Sequence, residues 1–431
     1  MESKQLATIG LHAKRLEARS RSIFYFLSSI LLFTTTMHSA SSQDLVSYQQ
    51  LAIENNPALK ANYKQFEAAL TRVQQVNSLP DPTLSFGYFI SPVETRVGPQ
   101  KARFSLSQMF PWFGSLKAQG NVMALSAEAS YQQFVEAQNN IRFEVAKNYY
   151  PILELDQLIK IKESNLDLLN SWKSLATSQY ENGKTQLADV LRINLMIKEI
   201  ETELSLLKAK KVPLSTVFNR ILNRSDTSSI LFEDSINEIE MPDFAETDWR
   251  NHPQILELNK RIESKEAQVI AIQKQSLPKI GAGLDYVMVS KRTDTNVPQN
   301  GQNAFMPMVS ISLPIFRKKY TSAKKEVALQ IEGYKQSIIS VENELTVKYE
   351  NLKYEMEREA ELLELYQNQI EETQQIQRLM LSAFSNSGKD LDELLRIQMQ
   401  LLNYEMKQVK AQTRLKILAE NLDYLLARNS N

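Results

Sequence analysis

The chain has 431 residues, 50 Lys and Arg against 50 Asp and Glu, few glycines and no cysteine. The missing cysteines exclude disulfides, thiolate metal sites, cysteine nucleophiles and lipid attachment at an N-terminal cysteine. Only His252 among the three histidines lies beyond residue 42, which excludes a histidine-built metal cage or triad within one chain, and the balanced charge excludes a broadly basic nucleic-acid binder.

Residues 1–42 read as a signal peptide. Lys14, Arg15, Arg19 and Arg21 are its basic region, Ile23 to Phe33 its apolar core, and cleavage fits between Ala40 and Gln43. A membrane anchor is the alternative, but a spanning helix needs about 20 apolar residues and this stretch is shorter. Without the leader the balance is 45 basic to 48 acidic residues. No later stretch is apolar enough for a spanning helix, so a membrane role has to use strands.

Asp44 to Asn77 is expected as a helix that restarts at Asn56-Pro57, Asn capping and Pro in the first turn. Two alternating runs follow, Thr83 to Ile90 and Arg103 to Phe110. Leu84, Phe86, Tyr88 and Ile90 share one face of the first; in the second, Phe104 and Leu106 oppose Ser105 and Ser107. Runs of this length and alternation fit transmembrane barrel strands and equally fit soluble hairpins. The connector Ser91–Gln100 has the composition of an exposed loop.

Ser115 to about Tyr180 then reads as one long helix, interrupted only by Gly120 and Pro151 and about 100 Å long at 1.5 Å per residue. Leu155, Ile159, Leu166, Leu169, Ala176 and Tyr180 fall on a 3.5-residue grid with Lys162 and Lys173, the spacing of laterally packed helices. Gly183 closes it, and a new helix starts near Gln186.

Then the order repeats. Asn251-His252-Pro253 restarts a helix. Ile280, Ala282, Leu284, Tyr286 and Met288 alternate against Gly281, Gly283 and Asp285. Val309, Ile311 and Leu313 alternate against Met308, Ser310 and Ser312, after the loop Ser290–Asn303. A second long helix runs from Arg317 to about Phe384 and ends at Gly388, with Leu352, Met356, Leu363, Tyr366, Ile370, Met380 and Phe384 on its grid and Glu359, Thr373 and Gln377 filling it. The repeat divides the mature chain at 43–240 and 241–431 and implies internal pseudo-symmetry.

The ordered set resembles TolC-type outer membrane efflux proteins over about Leu45 to Arg428. It comprises the leader, the Asn-Pro start, Leu79-Pro80-Asp81-Pro82 before a strand, Gln108-Met109-Phe110-Pro111-Trp112-Phe113-Gly114 after one, and the glycine hairpins. The run from Pro80 to Gly114 is most similar to heavy-metal-type members, although Ser115 stands where they carry Lys. The resemblance implies a mainly α fold with a small β part: long periplasmic helical hairpins and four transmembrane β-strands per chain, closing as a homotrimeric α/β-barrel. It further implies an outer-membrane exit duct that is not an enzyme and needs no cofactor. Its partners would be a periplasmic adaptor, an inner-membrane pump such as an RND-type transporter and outer-membrane lipid, with no nucleic acid. Metal ions or small toxic compounds are the expected cargo; a protein- or drug-exporting duct of the same family, or a secreted coiled-coil scaffold without a channel, are the alternatives.

No catalytic constellation, phosphate loop or metal-ligand cluster stands out, and the methionines suit core or lining better than a copper relay. Two regions carry the functional expectations. Tyr180, Gly183, Leu187, Phe384, Gly388 and Leu391 are the hairpin tips, which the resemblance makes adaptor contacts. Asp189, Asp390, Asp392 and Glu393, with Arg192 and Arg396 one turn on, are expected at a periplasmic aperture, where threefold symmetry would make acidic rings; ordinary intrahelical pairing is the simpler account. Phe110, Trp112, Phe113 and Phe316 are expected at the inner membrane interface, or as packing at the junction.

Overall fold

Two prolines set the phase of the two halves. Asn56 ends helix α1 (Leu45–Asn55) and caps α2 (Pro57–Asn77), its side-chain oxygen accepting from the Ala58 and Leu59 amides at 2.9 and 3.2 Å. Its amide nitrogen donates to the Ile221 carbonyl at 3.1 Å, which ties the restart to a helix far along the chain. In the second half His252 caps α5 (Pro253–Gln275), its Nδ1 accepting from the Gln254 amide at 3.3 Å. Each proline sits at the first helical position, where its missing N–H costs nothing.

The computed structural model describes residues 45–232, 241–242, 244, 247–294, 297–387 and 390–428, all within one compact unit that begins at Asp44. The expected leader and Gly388 lie outside the described residues. After α2 come strands β1 (Thr83–Val93) and β2 (Gln100–Phe110), then the long helix α3 (Ser115–Glu181) and its return α4 (Leu187–Ile221). After α5 the same sequence follows: β3 (Lys279–Val289), β4 (Ala304–Ser312), α6 (Lys318–Ser387) and α7 (Leu391–Leu425). Helix α3 runs through both Gly120 and Pro151 without a break, and α4 through Pro213. At 1.5 Å per residue α3 and α6 are each about 100 Å long.

The strands form one antiparallel sheet in the order β1-β2-β3-β4. Helices α2 and α4 both pack on α3, α5 and α7 both on α6, and α3 also meets α5 and α7. Each long helix therefore has a shorter partner along either part of its length, and contacts between α3 and the second half join the repeats.

Buried clusters follow this plan. One joins Tyr48, Val145, Tyr149, Ile152 and Phe218; its counterpart joins Tyr349, Leu352 and Met356 to Leu415, Leu418 and Leu422. A third, toward the hairpins, holds Leu169, Trp172, Ala176, Ile193, Ile197, Phe384 and Leu394. Full burial of such a side chain contributes about 1.5–3 kcal/mol.

On the expected grid of α6, Leu352, Met356, Glu359, Thr373 and Phe384 are buried, while Leu363, Tyr366, Ile370, Gln377 and Met380 are half-buried. The grid of α3 needs correction. Leu155, Lys162, Leu169 and Ala176 are buried as expected, but the alternate positions are Leu158, Asn165, Trp172 and Gln179, one residue before Ile159, Leu166, Lys173 and Tyr180. The polar members of the true seam have partners. Asn165 Oδ1 accepts from Gln398 at 2.8 Å, Gln179 donates to the Ser385 carbonyl at 2.9 Å, and Lys162 pairs with Glu203. Ile159 and Leu166 cover the flank of the same core, partly buried.

Candidate functional site

The register of the sheet puts like side chains on like faces. Leu84 pairs with Leu106, Phe86 with Phe104, Phe104 with Tyr286, Leu106 with Leu284, Ile280 with Ile311 and Tyr286 with Phe305. One face is therefore apolar across all four strands, and these side chains are exposed, up to 79% at Val309, except half-buried Tyr286. Phe86, Phe104, Tyr286 and Phe305 form a row of ring contacts across the strands, with centroids 4.9–6.5 Å apart. A contiguous exposed apolar sheet face fits contact with hydrocarbon.

The opposite face is mixed: Ser85, Gly87, Ser105, Ser107, Gly281, Gly283 and Ser310 share it with Met109, Val287, Met306 and Met308. Arg103 and Asp285 form an ion pair on it, with the Asp285 side chain fully buried and the Met308 sulfur 3.9 Å from the guanidinium. This pair was missed in the sequence; the signal was an aspartate in the polar phase of an alternating strand. Beyond the strands the two loops bond to each other. Ser290 donates to the Pro99 carbonyl at 2.9 Å and Gly301 to that of Val97 at 2.7 Å. Gly98, at φ +129°, passes so close to the Ser290 carbonyl that any β-carbon would overlap it.

No helix among the described residues is long and apolar enough to cross a membrane, and no group of His, Asp and Glu among them is arranged to hold a metal ion.

At the far end of the long helices, Gly183 takes φ +70° and the Lys184 amide bonds back to the Gln179 carbonyl, closing α3. Asp189 then caps α4, accepting from the Gln186 amide at 3.2 Å and from Thr185. Arg192 lies 3.6 Å from Asp189 and bonds to Asp392 of α7, so this arginine bridges the two halves. Arg396 pairs within its own helix with Glu393 and holds that carboxyl below its ordinary pKa, the side-chain hydrogen bond being the main cause. Asp390 precedes α7 at φ +65°.

The expected tip residues divide. Tyr180 and Leu187 are 43% and 50% exposed, whereas Phe384 and Leu391 are 0% and 3% exposed and belong to the core. These two sit on the seam where α6 and α7 close against α3 and α4, so they support the tip rather than present it. At the opposite junction Phe113 and Phe316 are highly exposed, Phe110 less so, and Trp112 is half-buried with its ring 6.1 Å from that of Phe113.

Along the helices, Glu136 gathers the two halves. It accepts from Gln254 at 2.9 Å and from the Tyr424 hydroxyl at 2.8 Å, while burial pushes the Tyr424 hydroxyl pKa up. Burial lowers the pKa of nearby His252, against the pull of Glu136 and with the push of Lys348.

An apolar-faced four-stranded sheet continued by helices of about 100 Å defines a class: envelope proteins that combine membrane strands with a helical duct. Residues 48–211 and 249–428 match the outer membrane efflux protein family, and the chain belongs to it. Its members are transport ducts of the outer membrane with periplasmic helices, not enzymes. No curated protein matches the sequence. Among solved structures, the CmeC outer membrane channel of Campylobacter jejuni is 13% identical, with 92% of this chain and 90% of that one covered and a TM-score of 0.68. The outer membrane protein VceC of Vibrio cholerae is 17% identical, covering 89% and 95%, at 0.64. CusC, described through its transmembrane channel formation, is 14% identical, covering 92% and 95%, at 0.67.

Proposed function

We propose that this protein, built as two repeats (43–240 and 241–431) behind a leader, is the passive exit duct of a tripartite efflux system. In this reading three copies assemble, and an inner-membrane pump and a periplasmic adaptor deliver metal ions or small toxic compounds. The observation that carries it is the sheet. Its apolar face is continuous, yet among the described residues β1 and β4 each leave one edge without a strand partner. In hydrocarbon an unpaired strand edge costs several kcal/mol per group, so β4 of one copy has to meet β1 of another. Two copies give eight strands, whose interior side chains fill. Three give twelve and leave a passage.

At the tips, Tyr180, Gly183 and Leu187 offer the adaptor an exposed surface, with Phe384 and Leu391 beneath them. Asp189, Arg192, Asp390, Asp392, Glu393 and Arg396 form the aperture in this reading, and the Arg192 bridge to Asp392 latches it. Both partners are half or more exposed, and such pairs are worth about 0–1 kcal/mol each. A latch of that size is breakable by adaptor binding. Planar-bilayer recording is the test. Wild-type channels should conduct weakly, and Arg192→Gln with Asp392→Asn should raise conductance. Absence of any conductance in both proteins contradicts the duct; conductance in both, unchanged by the substitutions, contradicts the latch.

A further inference from the structure

Where β4 passes into α6 the chain reads Leu313, Ile315 and Phe316, then Arg317, Lys318, Lys319, Lys324 and Lys325. The three apolar side chains are well exposed, reaching 82% at Phe316, and continue the apolar sheet face downward. The cations that follow break a local rule. The first turn of α6 carries no acidic residue and two lysines, at the end of a helix where the dipole disfavours positive charge. Among the described residues none of the five forms an ion pair; the Arg317 guanidinium donates to the Ser276 carbonyl, at 3.3 Å. A sequence that breaks such a rule without an internal partner points outside the chain.

Beside this run lies a cavity of about 660 Å³ between the ends of α2, α3, α5 and α6, with Lys279 at the start of β3 in its wall. Lys274, Lys279 and Lys319 line it against one carboxylate, Asp81, with Trp112 and Tyr320 in its wall. None of the three lysines forms an ion pair among the described residues. Pro80, also in the wall, accepts through its carbonyl from Gln108 at 2.7 Å. Gln108 pairs with Ala282 in the register of the apolar face, so the Pro80 wall of the cavity is tied to that face.

We propose that this cavity and the basic run beside it bind an anionic glycerophospholipid of the inner leaflet of the outer membrane. The lysines hold the headgroup phosphate, Trp112 and Tyr320 sit at the glycerol level, and the acyl chains lie along Ile280, Ile311 and Leu313. Aromatic rings and lysine ammonium groups both favour this depth, the ring body in lipid and the charged tip in water. Such a contact fixes the vertical position of the protein and offsets the unfavourable charge at the start of α6.

The test uses the full chain in vesicles of equal phosphatidylglycerol and phosphatidylethanolamine, extracted in mild detergent, with retained lipid identified by mass spectrometry. Each lysine near an anionic lipid is worth about fivefold. Wild type should therefore retain phosphatidylglycerol several-fold over phosphatidylethanolamine, and Lys274→Gln, Lys279→Gln and Lys319→Gln together should bring the ratio toward one. A wild-type ratio near one, or an unchanged ratio in the triple variant, overturns the proposal. So does complete displacement of the lipid by millimolar inorganic phosphate, which would mark a free-phosphate site. If the variant fails to fold, wild type alone decides: Trp112 should be quenched more by brominated phosphatidylglycerol than by brominated phosphatidylethanolamine, and equal quenching sinks the idea. Trp172 is buried in the core toward the hairpins, and Trp249 packs near Tyr349 on the long helices.

Discussion

His252 has one structural duty and one titratable ring. Its Nδ1 must stay unprotonated to cap α5, and burial already lowers its pKa from the ordinary 6.5. Because the folded pKa is depressed, the unfolded chain binds the proton first as pH falls. The stabilisation is complete above about 6.5 and fades as pH drops from there through the folded value. Thermal melts from pH 7.5 to 5 should show the loss in wild type and a shallower slope in His252→Asn, which caps without titrating. Identical slopes would remove the ring from the account. Arg103 and Asp285 offer a second residue-scale test. Arg103→Met leaves a fully buried carboxylate without its counter-charge and should cost about 3–5 kcal/mol, by denaturant unfolding. Adding Asp285→Asn should recover most of that.

At the scale of elements the sequence was legible where one force dominated. Proline and its cap fixed both helix restarts, and strict alternation placed the strands to within a few residues. The α6 seam was readable because apolar residues and burial coincide there. On α3 they do not: Asn165 and Gln179 are buried through hydrogen bonds to the second half, and no local pattern announces a partner more than 200 residues away. The same limit hid the link from Arg192 to Asp392 and the burial of Leu391, since both need the two hairpins side by side, whereas Phe384 already stood on the α6 grid. The tip then divides into support and surface, which mutation can separate. Phe384→Ala should lower stability by about 3–5 kcal/mol in thermal or denaturant unfolding. Leu187→Ser, on an exposed side chain, should leave the melting temperature within a degree or two and weaken adaptor binding in a pull-down. Equal loss of stability in both would erase the distinction.

For the whole molecule, doubling the sequence unit yields a sheet with an apolar face and two free edges above a paired set of long helices. One copy also leaves apolar side chains exposed along its helices, among them Leu195, Leu206, Val347 and Leu379, and in the proposed reading assembly covers strand edges and helix faces together. The outer membrane efflux protein family supplies the setting, and the unpaired edges supply the reason for more than one chain. The most direct measurement is the mass of the particle extracted from the outer membrane in detergent, corrected for bound detergent by light scattering. The account predicts three chains in the outer-membrane fraction. A soluble monomer or dimer would contradict it.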